Sequence, residues 1–127
     1  MKRLAFTGLI AKVMNMNKQP NVIVFFTDQQ RWDSAGVHGN PLNLTPHFDR
    51  MAQDGTHLYH HFTNQPVCGP ARACLQSGQY PSQIGCQTNG RPLPQDIPLL
   101  GRCFKDGGYQ TGYIGKWHLA GKGNPAG

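Results

Sequence analysis

A thiol and a guanidinium stand four residues apart in Cys68-Gly69-Pro70-Ala71-Arg72. Pro70 suits the first turn of a helix, where its missing N–H is not needed, and Gly78 suits the position just past a helix end. The run that ends at Gly78 therefore predicts a short helix with Cys68 near its N-terminus. Free backbone N–H groups and the positive end of the helix dipole favour a bound anion there. One turn on, Arg72 can point its planar fork back toward the same spot. Far along the chain, Gly115-Lys116-Trp117-His118-Leu119 offers an ammonium and an imidazole two positions apart. In a strand-like run both point the same way, so both can reach one oxyanion. Asp28 adds a carboxylate, a candidate ligand for a hard cation. Each group also has a plain structural reading: Cys68 as a buried thiol near a turn, Asp28 as a loop or cap residue, Lys116 and His118 as an exposed strand end. Taken together they describe a site for a tetrahedral oxyanion.

Six elements must position these groups. Val22-Ile23-Val24-Phe25-Phe26 is a β-branched and aromatic run and reads as a strand buried on both faces. It delivers Asp28 at its C-terminal end, where ligands bind in open α/β sheets. Thr45 as N-cap, Pro46 at the first helical position and Gly55 as stop mark a helix whose buried face is Phe48, Met51 and Ala52. Thr56 to Thr63 reads as a strand leading into the Cys68 loop. After a turn-rich stretch, Leu99, Leu100, Cys103 and Phe104 recur at helical spacing and Gly107-Gly108 ends that helix. Tyr109 to Ile114 is the last strand. The order strand, helix, strand, helix, helix, strand argues an α/β fold.

The charge of +6 is concentrated at the front. Lys2, Arg3, Lys12 and Lys18 precede residue 21, and the other basic residues are scattered without a stripe interleaved with aromatics. Nucleic acid is therefore not the expected partner, whereas an anionic small molecule suits the balance. No apolar run approaches the roughly 18 residues of a membrane-spanning helix, so no membrane partner is expected. None of the four cysteines forms a Cys-x-x-Cys pair, which argues against structural zinc. Cys74 and Cys103 read as small core residues and Cys86 carries no signal. His57, His60 and His61 fit no metal spacing and read as surface or rim residues. Residues 1–20 read as an N-terminal extension, either a weak signal-like segment or the product of a true start at Met14 or Met16. The compartment stays open between cytoplasmic and periplasmic or secreted.

Cys68-x-Pro-x-Arg72 resembles the motif of the type I, formylglycine-dependent sulfatases of the alkaline-phosphatase-like superfamily. Gly115-Lys116-Trp117-His118-Leu119 is similar to a second family motif, and Thr45-Pro46-x-x-Asp49-x-x-Ala52-x-x-Gly55 to a third. The resemblance runs from about Asn21 to Gly121. It implies an alkaline-phosphatase-like three-layer sandwich with a mostly parallel sheet, of which residues 21–127 are a truncated N-terminal part. In the family the motif cysteine is oxidised to formylglycine, an aldehyde whose hydrate attacks sulfur. Its second hydroxyl then expels sulfate and regenerates the aldehyde.

By matching position, the resemblance makes Cys68 the formylglycine nucleophile and a metal ligand, and Arg72 the group that stabilises the hydrate and the sulfate. Lys116 and His118 would bind sulfate, and Asp28 would hold Ca2+ or Mg2+. Gln29 stands where the family usually has a second Asp; its amide oxygen can coordinate without adding charge. The implied partners are a sulfated small molecule or glycan and a formylglycine-generating or anaerobic sulfatase-maturating enzyme. The family completes its site from later residues, so the 127 residues alone are expected to be catalytically incomplete. Sulfate monoester hydrolysis leads; a formylglycine-dependent phosphonate or phosphodiester hydrolase and a non-catalytic remnant are the alternatives.

Overall fold

The computed structural model describes residues 19–121; the extension expected over residues 1–20 lies almost wholly outside them. Among the described residues two 3₁₀ turns, Trp32–Ser34 and Gly36–His38, precede the first helix, α1, Pro46–Asp54. Thr45 and Gly55 flank α1 as the sequence predicts. The Thr45 hydroxyl does not cap its own helix. It accepts from the Gly36 N–H at 2.9 Å and donates to Asp49 Oδ1 at 3.0 Å, while the Val37 N–H donates to the same carboxylate at 2.8 Å. These bonds fasten α1 to the second 3₁₀ turn through its polar first turn. Its apolar side is left uncovered, and Phe48 and Met51 are exposed rather than buried.

Helix α2, Cys68–Ser77, ends at Gly78 in the left-handed region (φ 66°), a conformation glycine adopts without a Cβ penalty. Helix α3, Leu100–Asp106, packs against α2. The core is small: Ala73 of α2, Ile84, Cys86, Leu93 and Leu119, with Ile97, Leu99 and Trp117 against them. A backbone bond from Leu93 N–H to the Leu119 carbonyl (2.9 Å) closes it. Of the two cysteines read as core residues, Cys74 is half-buried and Cys103 is not enclosed. Cys86 is buried, whereas Cys103 lies on the exposed side of α3; all four are free thiols.

No strand is formed among the described residues. Segments 22–26, 56–63 and 109–114, each predicted as a strand, lack regular structure. The reason is physical: a strand exists only when a neighbour supplies the facing N–H and C=O groups, and none does so here. Nor is 22–26 buried on both faces. Exposure alternates, 87% at Ile23 and 89% at Phe25 against 50%, 55% and 46% at Val22, Val24 and Phe26. The less exposed trio lines a cavity with Leu75 of α2, Phe104 of α3 and Tyr113.

Of the three histidines read as surface or rim residues, His57 is half-buried against His38. His38 stacks on Trp32 with centroids 4.1 Å apart. Its Nε2 lies 3.0 Å from Nε2 of His57. His60 and His61 are exposed.

Candidate active site

Asp28 follows the extended segment 22–26, and its Oδ2 accepts from Lys116 Nζ at 2.9 Å and from an Arg72 terminal nitrogen at 3.3 Å. Residues 44 and 88 positions away in sequence thus meet on one carboxylate. Arg72 is buried in α2, and its other terminal nitrogen donates to the Lys116 carbonyl at 2.7 Å and to the Tyr113 hydroxyl at 3.4 Å. Tyr113 in turn donates to the Lys116 carbonyl at 2.6 Å. The guanidinium also lies over the Phe26 ring, 5.1 Å from its centroid, a favourable cation–π placement. Arg72 therefore joins 22–28 to 109–116. Its terminal nitrogens are taken up by Asp28, Tyr113 and the Lys116 carbonyl rather than turned toward Cys68, while its Nε is buried without a protein partner.

Asp28, Gln29, Cys68 and Lys116 line one open cavity of about 880 Å³. His118 is not brought into it. Positive φ at Gly115 (113°) and His118 (57°) breaks the strand-like alternation that would aim Lys116 and His118 together. The His118 Nδ1 is buried with no protein partner.

The Lys116 hydrogen bond, opposed by desolvation and joined by the Lys116 charge and by smaller help from Arg72, holds the Asp28 carboxyl below the ordinary 3.8. A carboxyl lowered on folding contributes stability above its unfolded value, and loses it as pH falls through the folded one. Lys116→Ala should therefore raise the Asp28 titration midpoint toward 3.8, read by carbon NMR of the side-chain carboxyl. An unmoved midpoint would mean that the Lys116 contact is not made in solution.

An ionised carboxylate beside an amide oxygen is the donor chemistry of a hard cation. Asp28 and Gln29 fit such an ion as part of a shell. The six to eight oxygens that calcium takes exceed what they supply, and the described residues hold no cluster of three or more His, Cys, Asp or Glu.

Two residues of the site carried no sequence signal for it. Asn89 Oδ1 accepts from the Gly69 N–H at 2.9 Å and from the Cys68 thiol at 3.4 Å. Asn89-Gly90 reads only as a turn. Tyr113 reads only as a strand residue.

The Sulfatase family model matches residues 20–127. The chain belongs to the sulfatase family. Among sulfatases, the uncharacterized sulfatase YidJ of Escherichia coli is 45% identical over 105 residues, 82% of this chain and 21% of that protein. Human steryl-sulfatase is 35% identical over 112 residues, 80% of this chain and 19% of that one. The crystal structure of the putative sulfatase yidJ from Bacteroides fragilis superposes with a TM-score of 0.66 at 36% identity, covering 77% of this chain and 23% of that one. That likeness supports the alkaline-phosphatase-like fold. The chain spans about a fifth of the length of the curated sulfatases it matches.

Proposed function

We propose that this chain is the nucleophile-bearing N-terminal part of a sulfatase that hydrolyses sulfate monoesters, with Cys68 converted to formylglycine. The observation that carries the reading is the meeting of Asp28, Arg72 and Lys116 beside the cavity that Cys68 lines. The modified residue would supply the hydroxyl that attacks sulfur, and a divalent cation held by Asp28 and Gln29 would polarise the sulfate oxygens. Lys116, half exposed on the cavity, presents a mobile ammonium that can leave Asp28 for an incoming anion. Arg72 is rigid by comparison; it fixes the lysine's backbone and contributes a permanent positive field. The buried Nδ1 of His118, two residues from Lys116, is a polar atom without a protein partner, which suits a role toward sulfate.

The test takes the complete protein, matured in cells carrying a formylglycine-generating or anaerobic sulfatase-maturating enzyme. Mass spectrometry of the peptide around residue 68 should show aldehyde or hydrate in place of thiol. Aryl sulfate should turn over, and chelation should stop the reaction until Ca2+ or Mg2+ is returned. Faster turnover of an aryl phosphonate would move the reading to a phosphonate or phosphodiester hydrolase. An unmodified Cys68 with no turnover of either ester would leave a non-catalytic relative.

A further inference from the structure

Helix α2 begins on a residue that cannot cap it. Val67 at the N-cap has no polar side chain, and no side-chain cap bond is made. The first N–H groups of a helix have no partner inside it and need one from elsewhere. For Gly69 that partner is Asn89, 20 residues on, whose Oδ1 takes the N–H at 2.9 Å. The carboxamide approaches so closely that a Cβ on residue 69 would come within 2.8 Å of Oδ1. This bond also settles the orientation of the amide. A backbone N–H can donate only to the oxygen of the carboxamide, so the acceptor end of Asn89 faces α2. The same oxygen lies 3.4 Å from the Cys68 sulfur.

We infer that Asn89 is a positioning residue for the side chain of residue 68, an acceptor-only contact that selects the forms able to donate a hydrogen bond. The inference rests on the proposed formylglycine chemistry and deepens it. A thiol can donate to Oδ1. So can the hydrate, which forms when water adds across the aldehyde C=O to give two hydroxyl groups on one carbon. The aldehyde cannot, because its oxygen carries only lone pairs and would face those of Oδ1. Asn89 therefore favours the hydrate, the form that holds the attacking hydroxyl. By occupying one hydroxyl, it leaves the other free to face the cavity.

The experiment compares the matured protein with its Asn89→Ala and Asn89→Asp variants. Only the aldehyde reacts with an aminooxy probe, so the labelling rate of residue 68 reports the aldehyde fraction. Asn89→Ala should label about threefold to tenfold faster, the equivalent of one net hydrogen bond. Asn89→Asp keeps an acceptor and should stay close to the unsubstituted rate. Simple fraying of α2 would also open residue 68 to the probe, so faster labelling accompanied by faster amide exchange along residues 71–74 would overturn the inference. Equal labelling in all three proteins would overturn the inference. If mass spectrometry finds the thiol unconverted, the proposed chemistry fails and the hydrate selection falls with it. Positioning is then judged on the thiol, by alkylation of Cys68 relative to the exposed Cys103. A several-fold faster reaction in Asn89→Ala alone supports it, and an unchanged ratio overturns it.

Discussion

Arg72→Met should lower the turnover of a sulfate ester by about 10²–10³-fold in the complete, matured protein, the usual effect of removing one preorganised charge donor. Methionine keeps an apolar stem against Phe26 but removes the fork that holds Asp28, Tyr113 and the Lys116 carbonyl. The stability cost should be modest, about 1–2 kcal/mol for the bond to the Lys116 carbonyl. Tyr113 still donates to that carbonyl, and the pair with exposed Asp28 contributes little to stability. Arg72→Lys should not restore activity, because a point charge cannot bridge three acceptors in fixed directions. Turnover and urea midpoint are read on the same variants. Activity within a few-fold of the unsubstituted protein would show that Arg72 only joins the segments and takes no part in the chemistry.

Cys68→Ala should abolish turnover altogether, since no other group lining the cavity can become an aldehyde. Stability should change by less than about 1 kcal/mol, because Cys68 is only half-buried and Asn89 keeps its bond to Gly69. Cys86→Ser is the contrasting control. It places a hydroxyl in the core beside Ile84 and Leu93, where the Pro92 carbonyl that accepts from the thiol at 3.3 Å can accept from it, so stability should fall by only about 1 kcal/mol while any folded fraction keeps its activity. Residual turnover in Cys68→Ala above the uncatalysed rate would remove residue 68 from the nucleophile role.

The elements legible in the sequence were those defined by their own ends. Pro70 and Gly78 bracket α2, Thr45 and Gly55 bracket α1, and Gly107 ends α3, because caps and breakers act over one turn. The chemistry-bearing types at positions 68 and 72 were legible for a similar reason, since they lie on the bracketed helix α2, whereas Asp28 and Lys116 follow runs read as strands that do not form among the described residues. Burial was less legible. Phe48 and Met51 have the spacing of a buried face, yet a face is buried only when something lies on it, and α1 is held by Thr45 and Asp49 instead. Cys86 and Cys103 are alike in type, and only the tertiary neighbours decide which one is enclosed. Alternation of Lys116 with His118 failed at two positive φ values, of which only that at glycine has a residue-type signal. Asn89 was out of reach because its role is a contact between two turns, which no local pattern encodes.

The link from Asp28 to Arg72 closes a loop of 44 residues, and that from Asp28 to Lys116 one of 88. Doubling the loop adds only about 0.6 kcal/mol of closure entropy, so the longer link is thermodynamically cheap. In time the difference is larger, because contacts between distant stretches are the slow ones to form. The helix that carries Cys68 needs only bonds between residues four apart, supplemented by Asn89 twenty positions on. The contacts around Cys68 are therefore made over short stretches of chain, whereas the three charges must be gathered from segments far apart in sequence.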